Sequence, residues 1–469
     1  MRSVRADGAP TSGPGLAVER LLDDARARGE EPGLRIRVVV GDAMGPPHDL
    51  TENSVSVRVG PSHCSRLAPE PGSRSPLPEG ATHRTHGSFS VSPEPMSRRS
   101  VLRTFAGVGT FALGAAACGP EGGGSDVTSA SAGARHFGAE WESHTRTFMS
   151  WPALQSVWGG DLPYVREDIA RVARAVAEYE EVVMMARPGQ VDAAQRACGS
   201  QVEVIPLPVD DLWARDTVPV FVEQSGKTLG VDFNFNGWGN KQVHDNDGTV
   251  GRRLLAEYEI ARAEAPLVGE GGSFETDGEG TLLLTESSMV NKNRNPGKSR
   301  ARIEADLKSA LGVRKVIWLA GVRGQDITDA HVDSLVRFTA PGVVLVDKAA
   351  PGSPPDVWSR SADQARKVLR EATDARGRKL EVIDLPQPDL GKITGAGDDF
   401  VSTYANFYVA NDALFMPGFG DTKADDRAEA ILQEQFPDRD IVRVRIDTIA
   451  SGGGGIHCAT HDQPGRPAA

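Results

Sequence analysis

From His136 onward the chain alternates helical stripes with short apolar runs, and two of those runs are nearly the same: VEVIPLP at Val202–Pro208 and LEVIDLP at Leu380–Pro386. A short apolar run bounded by turn residues reads as a strand buried under a helix, so its repetition restricts the chain to stacked α/β units. Leu162 to Tyr179 carries Val165, Ile169, Val172 and Val176 on one helical face, and Val182–Ala186 follows as a buried strand. The second heptad is preceded by a helical stretch, Ala362–Thr373. A third copy runs through ALFMP (Ala413–Pro417), a helix at Ala424–Gln435, and DIVRVRI (Asp440–Ile446). Repeats of one type predict a modular α/β architecture rather than one open sheet.

The chain upstream is different. Residues 1–95 are rich in Pro, Gly, Ser and Arg and carry no sustained period, which predicts little packed structure. Met96–Pro120, MSRRSVLRTFAGVGTFALGAAACGP, has a basic start, an apolar stretch at Phe105–Ala117, then small residues and a cysteine. That is the layout of an export signal of the twin-arginine type over 96–118. The apolar stretch is shorter than the roughly 20 residues needed to cross a bilayer. Such a signal belongs at a chain start, so Met96 reads as the first residue of the native protein. Cys118, behind Ala115–Ala117, is a candidate lipid-anchored cysteine, although no Leu stands three residues before it. The expected localisation is therefore exported: periplasmic, cell-surface or secreted. A Gly/Ser/Ala linker fills 119–135, and the catalytic domain is expected over 136–466.

The net charge of -12 argues against nucleic acid as a partner, because phosphate binding wants clustered Lys and Arg. The four cysteines, Cys64, Cys118, Cys198 and Cys458, show neither metal spacing nor a disulfide framework. Four other stretches carry chemistry where strands give way to loops. DDLWARDTVP (Asp210–Pro219) sets three Asp and one Arg around Trp213. GEGGSFETDGEG (Gly269–Gly280) follows Glu270 with two glycines, which let backbone pass close to something. ITDAHVDSLVRF (Ile327–Phe338) reads as a strand whose His331 and Asp333 point to one side. SGGGGIHCATHDQP (Ser451–Pro464) runs four glycines into Cys458. Each alone has a plain alternative: a solvated loop, a turn, a half-buried histidine, an inert buried thiol.

Together they supply one thiol, the His331 imidazole beside a carboxylate, further carboxylates and no metal set. That combination suits a guanidinium. Carboxylates can hold this planar cation through its fork of N–H donors, and a thiolate can attack its poorly electrophilic carbon. A histidine can protonate departing ammonia and then deprotonate water.

Six stretches, in order, resemble the agmatine deiminase family, which is grouped with bacterial peptidyl-arginine deiminases. They are FGAEWESHTRTFMSWP (Phe137–Pro152), LWARDTVPVF (Leu212–Phe221), EGGSFETDGEGTLLLTESSMVNKNRNP (Glu270–Pro296), AHVD (Ala330–Asp333), YANFYVAN (Tyr404–Asn411) and GGIHCATHDQP (Gly454–Pro464). The resemblance implies a five-bladed α/β propeller-like fold with pseudo-fivefold symmetry. It implies hydrolysis of agmatine to N-carbamoylputrescine and ammonia, or of an arginine side chain to citrulline, with no cofactor. By motif, Cys458 corresponds to the nucleophile and His331 to the general acid/base. Asp216 and Asp333 would grip the guanidinium, Glu270 would support His331 or the substrate, and Trp151 would line the pocket. The implied partner is a small cationic guanidino compound.

Three departures touch the surroundings of the site. Ala330 stands where the family commonly has Gly, Gly455 where it has Asn, and His461–Asp462 where it has two glutamines. They leave open which guanidine is the substrate. An amidinotransferase would use the same thiol intermediate. An exported guanidine- or polyamine-binding protein would need no thiol. A cysteine protease would have less use for the matched carboxylates.

Overall fold

The computed structural model describes residues 134–465, apart from 394, 396 and 398. The expectations for residues 1–95, the export signal at 96–118, Cys64 and Cys118 lie outside the described residues.

The described chain is mixed α/β. A short strand β1 (Arg135–His136) is followed by β2 (His144–Ser150), helix α1 (Leu162–Val176), β3 (Val182–Met185), helix α2 (Val191–Cys198) and β4 (Val202–Ile205). Next come β5 (Val220–Gln224), β6 (Lys227–Asp232), α3 (Val250–Glu257) and β7 (Ala261–Glu264). The third group is β8 (Glu275–Thr276), β9 (Thr281–Thr285), α4 (Arg300–Leu311) and β10 (Lys315–Leu319). The fourth is β11 (Val336–Ala340), β12 (Val343–Lys348), α5 (Val357–Glu371) and β13 (Glu381–Pro386). The fifth is β14 (Tyr408–Val409), β15 (Ala413–Gly418), α6 (Thr422–Gln435) and β16 (Asp440–Arg445), and the described chain ends with β17 (Thr460–Pro464).

These strands form five separate sheets with one shared plan. In each, an antiparallel pair is extended by a parallel strand that arrives through a helix. The pairs β5–β6, β8–β9, β11–β12 and β14–β15 are antiparallel, while β6–β7, β9–β10, β12–β13 and β15–β16 are parallel. The remaining sheet completes the same plan with the far end of the chain: β17 pairs antiparallel with β2, Thr460 opposite Met149, and β2 runs parallel to β3. A parallel pair needs a long crossover, and the helices supply it.

The helices obey local rules. In α1, Val165, Ile169, Val172 and Val176 are buried on one face, and Pro163 sits in the first turn, where its missing N–H costs nothing. Helix α4 starts at Ser299, whose side chain accepts from Arg302 N, and stops at Gly312 with φ +77°. A reciprocal cap between Asp356 and Ser359 starts α5 five residues before the apolar pattern predicts it. Strand β4 is shorter than its heptad, because Pro206 and Pro208 cannot donate to a ladder.

Candidate functional site

Five loops reach one place. Each ends in the first strand of its antiparallel pair. Asp216 precedes β5, Glu270 and Gly272 precede β8, His331 and Asp333 precede β11, Asn406 precedes β14, and Cys458 precedes β17. Sequence positions hundreds of residues apart thus meet because the same point of a repeated unit faces the same way.

Cys458 sits in a helical turn, Ile456–Ala459. Its sulfur lies 3.4 Å from Asp333 Oδ2 and accepts from Asn406 Nδ2 at 3.2 Å. Asn406 also takes the Cys458 backbone N–H on its Oδ1 at 3.2 Å, and its carbonyl takes the N–H of His457. His331 is 3.7 Å from Asp216 Oδ1 through Nδ1 and 3.5 Å from Glu270 Oε2 through Nε2. Those are ion-pair rather than hydrogen-bond distances, and the imidazole remains available to exchange a proton.

The carboxylates are fixed from behind. Arg294 Nε donates to both oxygens of Glu270, at 2.7 and 3.0 Å, while its Nη1 reaches Asp329 at 2.8 Å. Asp216 accepts from Trp238 Nε1 at 2.8 Å and from the Gly272 N–H at 3.0 Å. Asp333 meets His457 Nδ1 at 2.9 Å, and His457 Nε2 meets Glu140 Oε2 at 2.8 Å.

Burial and mutual repulsion set the charges. Burial pushes the Asp216 carboxyl above its usual range, against the pull of His331. Burial acts the same way on Glu270 and Asp333, but there Arg294 and His331, and His457 and His331, outweigh it and hold both groups low. Burial opposes a charge on His331, yet Asp216, Glu270 and Asp333 raise it to about 9. Burial, then the anions Asp333 and Asp216, push the Cys458 thiol well above its ordinary value. The resting centre therefore holds a thiol and an imidazolium among buried carboxylates.

Gly272 packs directly against three of these charged groups. A methyl group there would come 2.7 Å from His331 Nδ1, 3.0 Å from Asp216 Oδ1 and 3.1 Å from Asp333 Oδ2. The glycine run before Cys458 has a related cause. A side chain at Gly452 would overlap the Trp158 ring, one at Gly454 the Trp213 ring, and one at Gly455 would stand 2.5 Å from Asn406 Oδ1. Gly453 has φ +93°. Trp158 and Trp213 are themselves pinned by Asp211, which accepts both indole N–H groups at 2.7 and 3.0 Å.

The structure brings together Cys458, His331, Asp216, Asp333 and Glu270. It does not bring Trp151 to them. The Trp151 backbone N–H continues the sheet by donating to Met185 O, and its ring lies under the Arg166 guanidinium at 5.5 Å, beside α1. Trp158 and Trp213 are the tryptophans that flank the cysteine loop. His331 and Asp333 are not on a strand either. They enter a 3₁₀ turn, Val332–Ser334, after Asp329 and Ala330 have reversed the chain at φ +62° and +66°. Asp326 Oδ1 accepts from Ala330 N, and Thr328 Oγ1 from His331 N, holding that reversal. Sequence reasoning passed over Asn406, His457, Trp238 and Arg294. Asn406 had a signal: it is the polar residue inside the apolar run Tyr404–Val409. Among the described residues, no group of three or more His, Cys, Asp or Glu is arranged to hold a metal ion.

The family model described as Porphyromonas-type peptidyl-arginine deiminase matches residues 136–464. An agmatine deiminase from Medicago truncatula is 36% identical over 363 residues, covering 70% of this chain and 96% of its own. One from Stutzerimonas stutzeri is 37% identical over 350 residues, covering 70% and 94%. The solved structure of agmatine deiminase of Enterococcus faecalis aligns with a TM-score of 0.67 at 31% identity, over 71% of this chain and 96% of that one.

Gly272→Ala should remain folded and lose about 100-fold or more in kcat/KM, read from ammonia release, because its methyl occupies the space between the three charged groups. Ala330→Gly should be neutral in chemical denaturation to within about 0.5 kcal/mol, since relief of the left-handed backbone offsets the lost methyl and the added chain entropy.

Proposed function

Because the chain belongs to the Porphyromonas-type peptidyl-arginine deiminase family, with agmatine deiminases among its relatives, we propose that it hydrolyses the guanidinium of agmatine to N-carbamoylputrescine and ammonia through a covalent intermediate on Cys458. The observation that carries this reading is the convergence of one thiol, one raised imidazole and three buried carboxylates beside Gly272. The same chemistry would convert an arginine side chain to citrulline.

In the proposed mechanism, Asp216 and Asp333 hold the guanidinium by charge-assisted hydrogen bonds. The bound cation offsets the burial and the carboxylate repulsion that keep Cys458 protonated, and the thiol proton leaves to solvent. The thiolate forms a C–S bond to the central carbon. His331, as imidazolium, gives its proton to the departing nitrogen, the C–N bond breaks and ammonia leaves. Neutral His331 then takes a proton from water while the hydroxyl oxygen bonds to the same carbon. Collapse breaks the C–S bond, returns the thiolate and yields the carbamoyl product. The hydroxyl proton released in that collapse converts ammonia to ammonium. Glu270, anchored by Arg294, supports the charged form of His331.

We also read the five sheets as blades of a five-bladed propeller-like fold with pseudo-fivefold symmetry. Their common plan supports this, as does the delivery of the site from the same junction in each. The pairing of β17 with β2 would join the last blade to the first.

A panel of agmatine, free arginine, an arginine peptide and methylated arginine, with ammonia and ureido product measured, tests the reading. Cys458→Ala should release no ammonia from any of them, and an active Cys458→Ala would overturn the mechanism. Asp216→Asn should raise KM for agmatine by removing a charged contact. The donor form of His331 is present below its raised value and lost above it, so kcat/KM should fall as pH rises through about 9.

A further inference from the structure

The residue beside the nucleophile is itself buried and charged on both sides. His457 is 2% exposed. Its Nδ1 lies 2.9 Å from Asp333 Oδ2 and its Nε2 lies 2.8 Å from Glu140 Oε2. An ionised carboxylate can only accept a hydrogen bond, so two such partners require both ring nitrogens to donate. Both partners are held as carboxylates. For Glu140, burial opposes the charge but Arg337, His457 and Arg215 outweigh it. Glu140 also accepts from Arg215 Nη2 at 3.0 Å and Arg337 Nη2 at 2.9 Å, so it is a fixed post rather than a mobile side chain.

We propose that His457 is a positioning residue: a doubly donating imidazolium that ties Glu140 to Asp333 and so locks the turn carrying Cys458 against the carboxylate beside its sulfur. The lever is short. His457 is bonded to Cys458 along the chain, and Asp333 Oδ2 faces both the His457 ring and the Cys458 sulfur. The groups around the ring are Glu140, Asp333 and Glu275 on the acidic side, Arg215 and Arg337 as cations, and the imidazole of His461. His461 is held neutral by burial and by Arg215, near 3, so it does not compete for the proton. Removing the imidazolium leaves Asp333 buried with its nearest cation gone, and burial then favours the protonated acid.

This inference rests on the deiminase reading for its activity arm but not for its spectroscopic one. In the full chain labelled with ¹⁵N-histidine, the His457 signal, identified by its absence from His457→Gln, should show both ring nitrogens carrying hydrogen at pH 7. A pattern with one bare ring nitrogen at pH 7 would overturn the proposal whether or not the protein turns over agmatine. His457→Gln, compared with wild type at equal folded fraction, should lose about 100-fold in kcat/KM at pH 8. That deficit should widen by a further tenfold or so toward pH 5, as Asp333 takes up a proton. A deficit that stays flat with pH would mean a purely structural loss and would also overturn the proposal. Preserved turnover of agmatine with a flat profile would separate this failure from a failure of the deiminase reading, which would show as no ammonia from the wild type.

Discussion

Three carboxylates buried around a thiol are the constraint on which the rest of this structure depends. An unpaired buried charge is far costlier than a paired one, and removing a single partner leaves the other stranded. Asp216, Glu270 and Asp333 are 7%, 0% and 0% exposed. Each accordingly has a dedicated donor behind it: the Trp238 indole, the Arg294 fork and the His457 ring. Those donors need partners of their own, which gives a second layer of Asp329, Glu140, Glu275, Arg215 and Arg337. The polar centre is thus a graded network. Its inner face gathers the thiol, the His331 ring and the three carboxylates.

Such a network cannot be assembled from one loop. Its members come from five junctions, each just before the first strand of an antiparallel pair. The repeated plan brings them to one place without any single segment having to fold around the site. The pairing of β17 with β2 has a special part, because β17 begins two residues after Cys458. The ladder from Thr460 to Pro464 therefore anchors the nucleophile's turn on one side, while Asn406 anchors it on the other.

Close packing explains the glycines before Cys458, and the other two departures from family pattern have their own surroundings. The run before Cys458 is made of glycine because two tryptophan rings and Asn406 occupy the space that side chains would need. His461 and Asp462 do not reach the central carboxylates. His461 Nδ1 donates to Arg215 O at 3.0 Å, and Asp462 Oδ1 accepts from Arg215 Nη1 at 3.1 Å. They brace Arg215, whose Nε donates to the His457 carbonyl in the nucleophile's turn at 3.3 Å. Ala330 keeps the left-handed turn that glycine would adopt without strain, so the chain reversal before His331 survives the replacement.

Much of this was legible in the residues. Periodicity located the helix–strand alternation. The thiol, the histidine and the acidic stretches stood out by type and setting, while the role of each residue followed from the resemblance to the deiminase family. The sequence could not reveal which atoms stand behind those groups. His457, Trp238, Arg294 and Asn406 lie far along the chain from the residues they fix, and no local period links them. Trp151 shows the converse. Its motif placed it near the site, while the sheet's hydrogen bonds turned its ring toward α1 and left Trp213 beside the cysteine loop. Composition and spacing determined the chemistry on offer. Only the tertiary structure decided partnership, because burial makes every charge depend on whichever neighbour the fold delivers.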